Sequence, residues 1–102
     1  MKCESYNLFF ETIASRLRIA ILELLMQGPK SVTEICSDLN EEQSKISHNL
    51  KKLAECHFVD TSRQGKKRIY SINKETIEPL MKLVEQHVHQ FCGMECLKRG
   101  VK

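Results

Sequence analysis

The feature that most narrows the fold is a change of hydrophobic period at about His57. Before it, apolar residues recur every three or four positions. After it come two short β-type runs, Phe58-Val59-Asp60-Thr61-Ser62 and Ile69-Tyr70-Ser71-Ile72. Between them lies Arg63-Gln64-Gly65-Lys66-Lys67-Arg68, a Gly-containing hairpin turn loaded with cations. A single hairpin set among helical patterns predicts a mainly α fold with a small β-hairpin. At 102 residues the chain has the length of one domain, 1–102, with one modest core, and two large substrate domains are excluded.

The helical part divides into five segments. Tyr6, Phe9, Phe10 and Ile13 mark a short first helix. Leu17, Ala20, Ile21, Leu24 and Leu25 mark a second, with Ser15 as its N-cap and Gly28-Pro29 as its stop. Ser31-Val32-Thr33-Glu34 fits a capping box and opens a third, turning Val32, Ile35 and Leu39 inward and ending near Asn40. Asn40, with Gln43 three residues on, is expected to cap the fourth. Ile46, Leu50, Leu53 and Ala54 form that helix's apolar side, while Gln43, Ser44, Lys45, Ser47, His48, Lys51 and Lys52 are all polar. The fifth is expected from about Lys74 into the mid-nineties, along Ile77, Leu80, Met81, Val84 and Val88, with Pro79 tolerable only in its first turn.

Net charge is +3, too mild to decide anything by its total. Its distribution is more telling: from Gln43 to Arg68 seven basic residues face two acidic ones, a net of +5, and the remainder sums to −2. Such asymmetry is the footprint of a nucleic-acid face, although charge alone also describes a solvated surface. The longest apolar run is four residues, Ile19 to Leu22, too short for a transmembrane helix, so no membrane partner is expected. Met1-Lys2-Cys3-Glu4 lacks an apolar signal core. Five cysteines, an odd number, therefore read as reduced cytoplasmic thiols and not as a disulfide framework.

Two short helices joined tightly, the second polar on its outer face, followed by a basic hairpin, describe a winged helix-turn-helix with five helices and a two-stranded wing. A major groove admits one helix, whose N-terminal half reaches base edges. Gln43, Ser44, Ser47 and His48 carry suitable donors and acceptors; Lys45, Lys51 and the wing cations Arg63, Lys66, Lys67 and Arg68 suit phosphates. From Phe9 to Cys92 the sequence resembles the ArsR-type winged-helix repressors. The resemblance is carried by Arg16-Leu17-Arg18-Ile19, Thr33-Glu34-Ile35-Cys36, Gln43 through Leu53, and Arg63 through Ile72. Two departures are the short segment before Arg16, without an Asp-Pro-Thr-like cap, and His57 where the family prefers Gly. The resemblance implies a homodimer on palindromic double-stranded DNA, paired through its first and last helices. The stripes Phe9/Ile13 and Leu80/Val84/Val88 are compatible with that pairing, and equally with burial inside one protomer.

The effector is less constrained. Positions matching the family's zinc site on the last helix hold Lys74, Thr76, His87 and Gln90, and a Lys at a ligand position is hostile to a cation. Further on, His89, Cys92 and Cys96 recur at i, i+3 and i+7 and can share one helical face. Two thiolates and an imidazole suit Zn(II), Cu(I) or a metalloid such as As(III), with Cys3, Cys36 or His87 as a fourth ligand. These residues also read as the unremarkable end of a fraying helix, weakened by Gly93 and Gly100. Cys36 sits where the family places one sensor thiol, but Asp38 replaces the companion Cys of its arsenic sensors. Cys36 paired with a last-helix Cys would resemble the family's persulfide sensors, a redox chemistry; alone it reads as a small buried hydrophobe. Cys56 falls at a core position. No nucleophile–base pair, phosphate-cradling Gly loop or paired carboxylates appear, so an enzyme is not expected. Two other classes remain: a DNA-binding module without an effector, and a protein-interaction module.

Overall fold

The computed structural model describes residues 6–92. Along the chain run α1 (Tyr6–Ile13), α2 (Arg16–Leu25), β1 (Lys30–Ser31), α3 (Val32–Leu39), α4 (Gln43–Glu55), β2 (Val59–Gln64), β3 (Lys67–Ile72) and α5 (Ile77–His87). The last helix passes into a π-helical turn, Val88–Cys92. This is a winged helix-turn-helix, with α3 and α4 as the helix pair and β2–β3 as the wing.

Local chemistry sets most of the boundaries. Ser15 caps α2 by accepting from the Arg18 N–H at 3.3 Å. Ser31 and Glu34 complete the expected capping box: Ser31 Oγ accepts from the Glu34 N–H, and Glu34 Oε1 accepts from the Ser31 N–H at 2.8 Å. That backbone hydrogen bond is the main reason the Glu34 carboxyl sits below its ordinary pKa, helped by the Ser31 hydroxyl and the charges of Lys30 and Lys67.

Asn40 does not cap α4. It adopts a left-handed conformation, φ 55°, and closes α3 instead: its N–H donates to Ser37 O and the Glu41 N–H to Cys36 O. Asn tolerates this region as well as it caps, and here the first property decides. Glu42 takes the N-cap position of α4 with no side-chain cap bond. The end of α4 repeats the same closure. His57 has φ 65°, its N–H donates to Ala54 O at 3.0 Å, and the Phe58 N–H donates to Leu53 O at 2.8 Å. This Schellman closure explains why Gly would suit position 57.

The helices pack through one core. Ile21, Leu22 and Leu25 of α2, Ile35 of α3, and Ile46, Leu50 and Leu53 of α4 are buried with Phe58, Val59, Tyr70, Ile72 and Ile77. Cys56 belongs to this core, as expected. Phe9 joins α1 to it by stacking on Phe58, ring centroids 5.0 Å apart.

The sheet differs from the expected two-stranded wing. It has three antiparallel strands in the order β1-β3-β2, with Lys30 opposite Tyr70 and Ser31 opposite Ile69. Two residues are too few to show a period, so β1 left no sequence signal. The hairpin strands are also longer than expected: Arg63 pairs with Arg68 and Gln64 with Lys67, leaving only Gly65-Lys66 as the turn. The last helix starts at Ile77 rather than Lys74 because Asn73 builds a turn first, its Oδ1 accepting from the N–H groups of Glu75 and Thr76. Pro79 falls in the first turn of α5, where no intrahelical N–H is required.

Replacing His57 by Gly should raise stability by about 0.5–1 kcal/mol, because the left-handed penalty outweighs the added freedom of the unfolded chain. Thermal unfolding at fixed protein concentration checks this; a lower midpoint would overturn it. Because Glu34 is depressed in the folded state, its contribution is full above the ordinary carboxylate range and fades as the pH falls through its folded value. Glu34→Gln should therefore flatten the acid limb of the stability–pH curve without moving the neutral plateau much, read by denaturant titration between about pH 3 and 7.

Candidate nucleic-acid interface

The apolar edge of α4 decides where its polar side faces. Ile46, Leu50 and Leu53 are fully buried, so Gln43, Ser44, Lys45, His48 and Lys51 are left exposed and Ser47 and Lys52 half-buried. With no side chain capping α4, its first amide groups remain for solvent or an anion. Lys45 lies 3.5 Å from Glu41 in an exposed i, i+4 pair.

The wing projects because it has little to bury. On β2 only Val59 is buried, and on β3 only Tyr70 and Ile72. Arg63, Lys66, Lys67 and Arg68 are all exposed. Gly65 has φ +64° and Lys66 does not, the sign pattern of a type II′ hairpin turn, which calls for Gly first. A Cβ at Gly65 would meet nothing within 4 Å, so its requirement is purely one of backbone conformation.

The two elements meet. Between α4 and the wing lies an open cleft of about 630 Å³ lined by Val32, Ser47, Lys51, Ala54, Glu55, Thr61, Arg68 and Tyr70. It brings Lys51 and Arg68, distant in sequence, to one opening, and adds Thr61, Tyr70 and Glu55. The sequence did not mark those three for this opening, since their place depends on how the hairpin folds back over α4. Among the described residues the ion pairs are Lys45–Glu41 and Lys30–Asp38. Lys51, Lys52, Arg63, Lys66, Lys67 and Arg68 thus have no carboxylate within 4 Å among those residues.

A second exposed surface is apolar. Tyr6 and Phe10 on α1 are 85% and 60% exposed, and Leu83, Val84, Val88 and Phe91 on α5 and its final turn are also open. Phe9, Ile13 and Leu80, by contrast, pack against the chain's own core. Each stripe is thus divided, one part turned inward and one left open.

The candidate effector ligands come together less clearly. His87 and His89 are exposed on the last helical stretch, and His87 lies 5.0 Å from the Phe91 ring. Cys36 is half-buried against the core. Cys3, Cys96 and the Cys92 side chain lie outside the described residues. Among the described residues no three His, Cys, Asp or Glu side chains converge. Nor is any helix there long and apolar enough to cross a membrane.

Comparison with known proteins gives this arrangement its context. A family model described as the ArsR family of bacterial regulatory proteins matches residues 15–61, which span α2, the helix pair and the start of the wing. The crystal structure of Rv0081 from Mycobacterium tuberculosis superposes with a TM-score of 0.78 at 34% identity, covering 85% of this chain and 88% of that one. The chain belongs to the ArsR family. In sequence, this ArsR-family chain is 40% identical to the HTH-type transcriptional regulator Rv0081 over 74 residues, 72% of its length; it spans 65% of that relative. The solution structure of Mb0332 from Mycobacterium bovis, a homodimeric winged helix-turn-helix DNA-binding domain, matches with a TM-score of 0.76 at 25% identity, over 89% of this chain and 90% of that one. A probable mercury resistance operon repressor of Streptomyces lividans is 28% identical over 75 residues, 74% of this chain and 60% of its own. These relatives are transcriptional regulators, not enzymes.

The wing cations, with no carboxylate within 4 Å among the described residues, should contribute little to folding. Replacing Lys66, Lys67 and Arg68 together by Gln should leave the unfolding free energy from denaturant titration within about 0.5 kcal/mol of the parent. A larger drop would show that the wing is held by its charges.

Proposed function

We propose that this protein is a cytoplasmic transcriptional repressor, one winged-helix domain over 1–102 that binds palindromic duplex DNA as a homodimer. The carrying observation is the row of cations, with no carboxylate within 4 Å among the described residues, that joins α4 to the wing across one cleft. Such a row attracts phosphates strongly and salt-dependently. Gln43, Ser44, Ser47 and His48, exposed or half-buried on the leading half of α4, would meet base edges. Lys51, Arg63, Lys66, Lys67 and Arg68 would meet phosphates. Lys45 can join them by giving up its exposed pair with Glu41, a loss of well under about 1 kcal/mol. The open apolar faces of α1 and α5 would supply the two-fold contact, which agrees with the homodimeric state named for the Mb0332 domain.

The proposed inducer is a thiophilic metal or metalloid, Zn(II), Cu(I) or As(III), held by His89, Cys92 and Cys96, with His87, Cys3 or Cys36 completing the set. Support comes from the donor chemistry and from relatives named as mercury and arsenical resistance operon repressors. The family's own site on the last helix does not fit, since Lys74 is an exposed cation at a ligand position. Bound metal would ionise the thiols, hold the end of α5, and act on DNA through the dimer contact, which requires a coupling of only about 1–3 kcal/mol.

Binding of a palindromic duplex at low salt tests the first part; affinity no better than for single strands would refute it. Neutralising Lys66, Lys67 and Arg68 should lower the slope of log affinity against log salt by about one per lost phosphate contact. Gln43→Ala or Ser47→Ala should instead relax sequence preference, by about 1–3 kcal/mol at the affected base. Cys92→Ser with Cys96→Ser should bind DNA normally and ignore added metal. A double mutant that still releases DNA with metal would place the sensor elsewhere. Release caused by mild oxidant and reversed by dithiol would make the sensor a redox one.

A further inference from the structure

Arg18 is a cation that the interface does not use. It lies on α2, half-buried, with no carboxylate within 4 Å among the described residues. Its charge is directed instead at two neutral oxygens on two other helices. Nε donates to Asn49 Oδ1 on α4 at 2.9 Å, and Nη1 donates to the Thr12 carbonyl at the end of α1 at 3.0 Å. The Thr12 carbonyl is one of the last acceptors of α1, at the negative end of that helix's dipole, where a guanidinium is favoured. Asn49 passes the connection on: its Nδ2 donates to the Lys45 carbonyl at 2.8 Å, one turn nearer the leading end of α4. These two bonds fix the amide's orientation, since a flipped amide would set N–H against N–H and oxygen against oxygen.

Thr12 makes a second link. Its hydroxyl donates to Leu8 O at 2.8 Å and also lies 3.8 Å from the Sγ of buried Cys56, just past the end of α4. The last turn of α1 is therefore bonded to α4 near its middle through Arg18 and at its end through Thr12. The same helix carries Tyr6 and Phe10, the exposed part of the apolar face.

We propose that Arg18 is a positioning residue that locks the reading helix α4 to the dimer-facing helix α1, and so sets the half-site spacing that a dimer accepts. Its planar fork suits this role because one guanidinium spans two acceptors that a single ammonium would not. Changing the spacing by one base pair moves a half-site by about 3.4 Å and rotates it by about a tenth of a turn. A reading helix bonded to α1 near its middle as well as at its end cannot follow that movement; one that has lost the middle bond can tilt. The inference rests on the repressor reading above.

The test begins with a duplex selected by the parent protein from a random palindromic pool. Affinity is then measured for versions with half-sites one and two base pairs closer or further apart. The parent should disfavour altered spacing by about tenfold or more, and Arg18→Met should reduce this to under about threefold. Arg18→Lys, which keeps the charge and most of the side-chain volume, should not restore it. Asn49→Leu should give the same loss, and the double variant should be no worse than either alone. The dimer dissociation constant, measured by ultracentrifugation, and the salt slope should match the parent in every variant. Spacing preference retained in Arg18→Met and Arg18→Lys overturns the inference alone. So does a salt slope that falls by about one with spacing preference intact, which would make Arg18 a phosphate contact. A parent that selects no duplex removes the repressor reading and this inference with it.

Discussion

Burial of Ile46, Leu50 and Leu53 is the contact on which the outer surface depends. The three side chains recur at i, i+4 and i+7 and are all at 0% exposure, within one cluster with Ile21, Leu22, Leu25 and Ile35. Truncating any one of them would cost about 2–5 kcal/mol, a large part of the 5–15 kcal/mol that holds a typical domain together. With that edge fixed inward, helical geometry leaves Gln43, Ser44, Lys45 and His48 no place but outside. The polar face of α4 is thus a consequence of its packing, and its chemistry is free to vary without harming the fold.

The wing obeys a different balance. Three buried residues, Val59, Tyr70 and Ile72, tether its base, and nothing from Asp60 to Arg68 is buried. Its cations have no carboxylate within 4 Å among the described residues, which keeps them available to an anionic partner. Ser31 connects this hairpin to the helix pair: it pairs with Ile69 as part of β1 and caps α3 through its hydroxyl. One residue thereby ties the base of the wing to the start of the helix that precedes α4.

Polar bonds also join α4 to the helices that carry the open apolar face. Arg18 and Thr12 reach it from α1 and its neighbour α2. From the other side, Asn73 Nδ2 donates to His57 O at 2.8 Å and its own N–H to Phe58 O at 3.0 Å, while its carbonyl accepts from Glu78 at the start of α5. Movement of either outer helix meets the same helix, α4. In the proposed repressor, this would be the physical link between the dimer contact and the DNA face.

Much of this was legible in the chain. Periodicity located the helices, Ser15, Ser31 and Glu34 located two starts, and the cations around Gly65 located the wing. Asn40 was misread because one side chain suits both a helix start and a left-handed close, and only the path of the chain between α3 and α4 selects one. β1 was invisible because two residues carry no period and depend entirely on Ile69 and Tyr70 lying alongside. The division of the Phe9–Phe10 and Leu80–Val84 stripes into inward and open parts follows from where α1 and α5 settle against Phe58 and Ile77. Thr61, Tyr70, Arg18 and Asn49 gained their surroundings in the same way. The sequence by itself determined which segments are helices, where α2 and α3 start and which segment carries the positive charge, because those follow from local hydrogen bonding and spacing. Which polar groups meet was decided only by tertiary structure, because residues 31 apart, as Arg18 and Asn49 are, become neighbours only through the packing of the core between their helices.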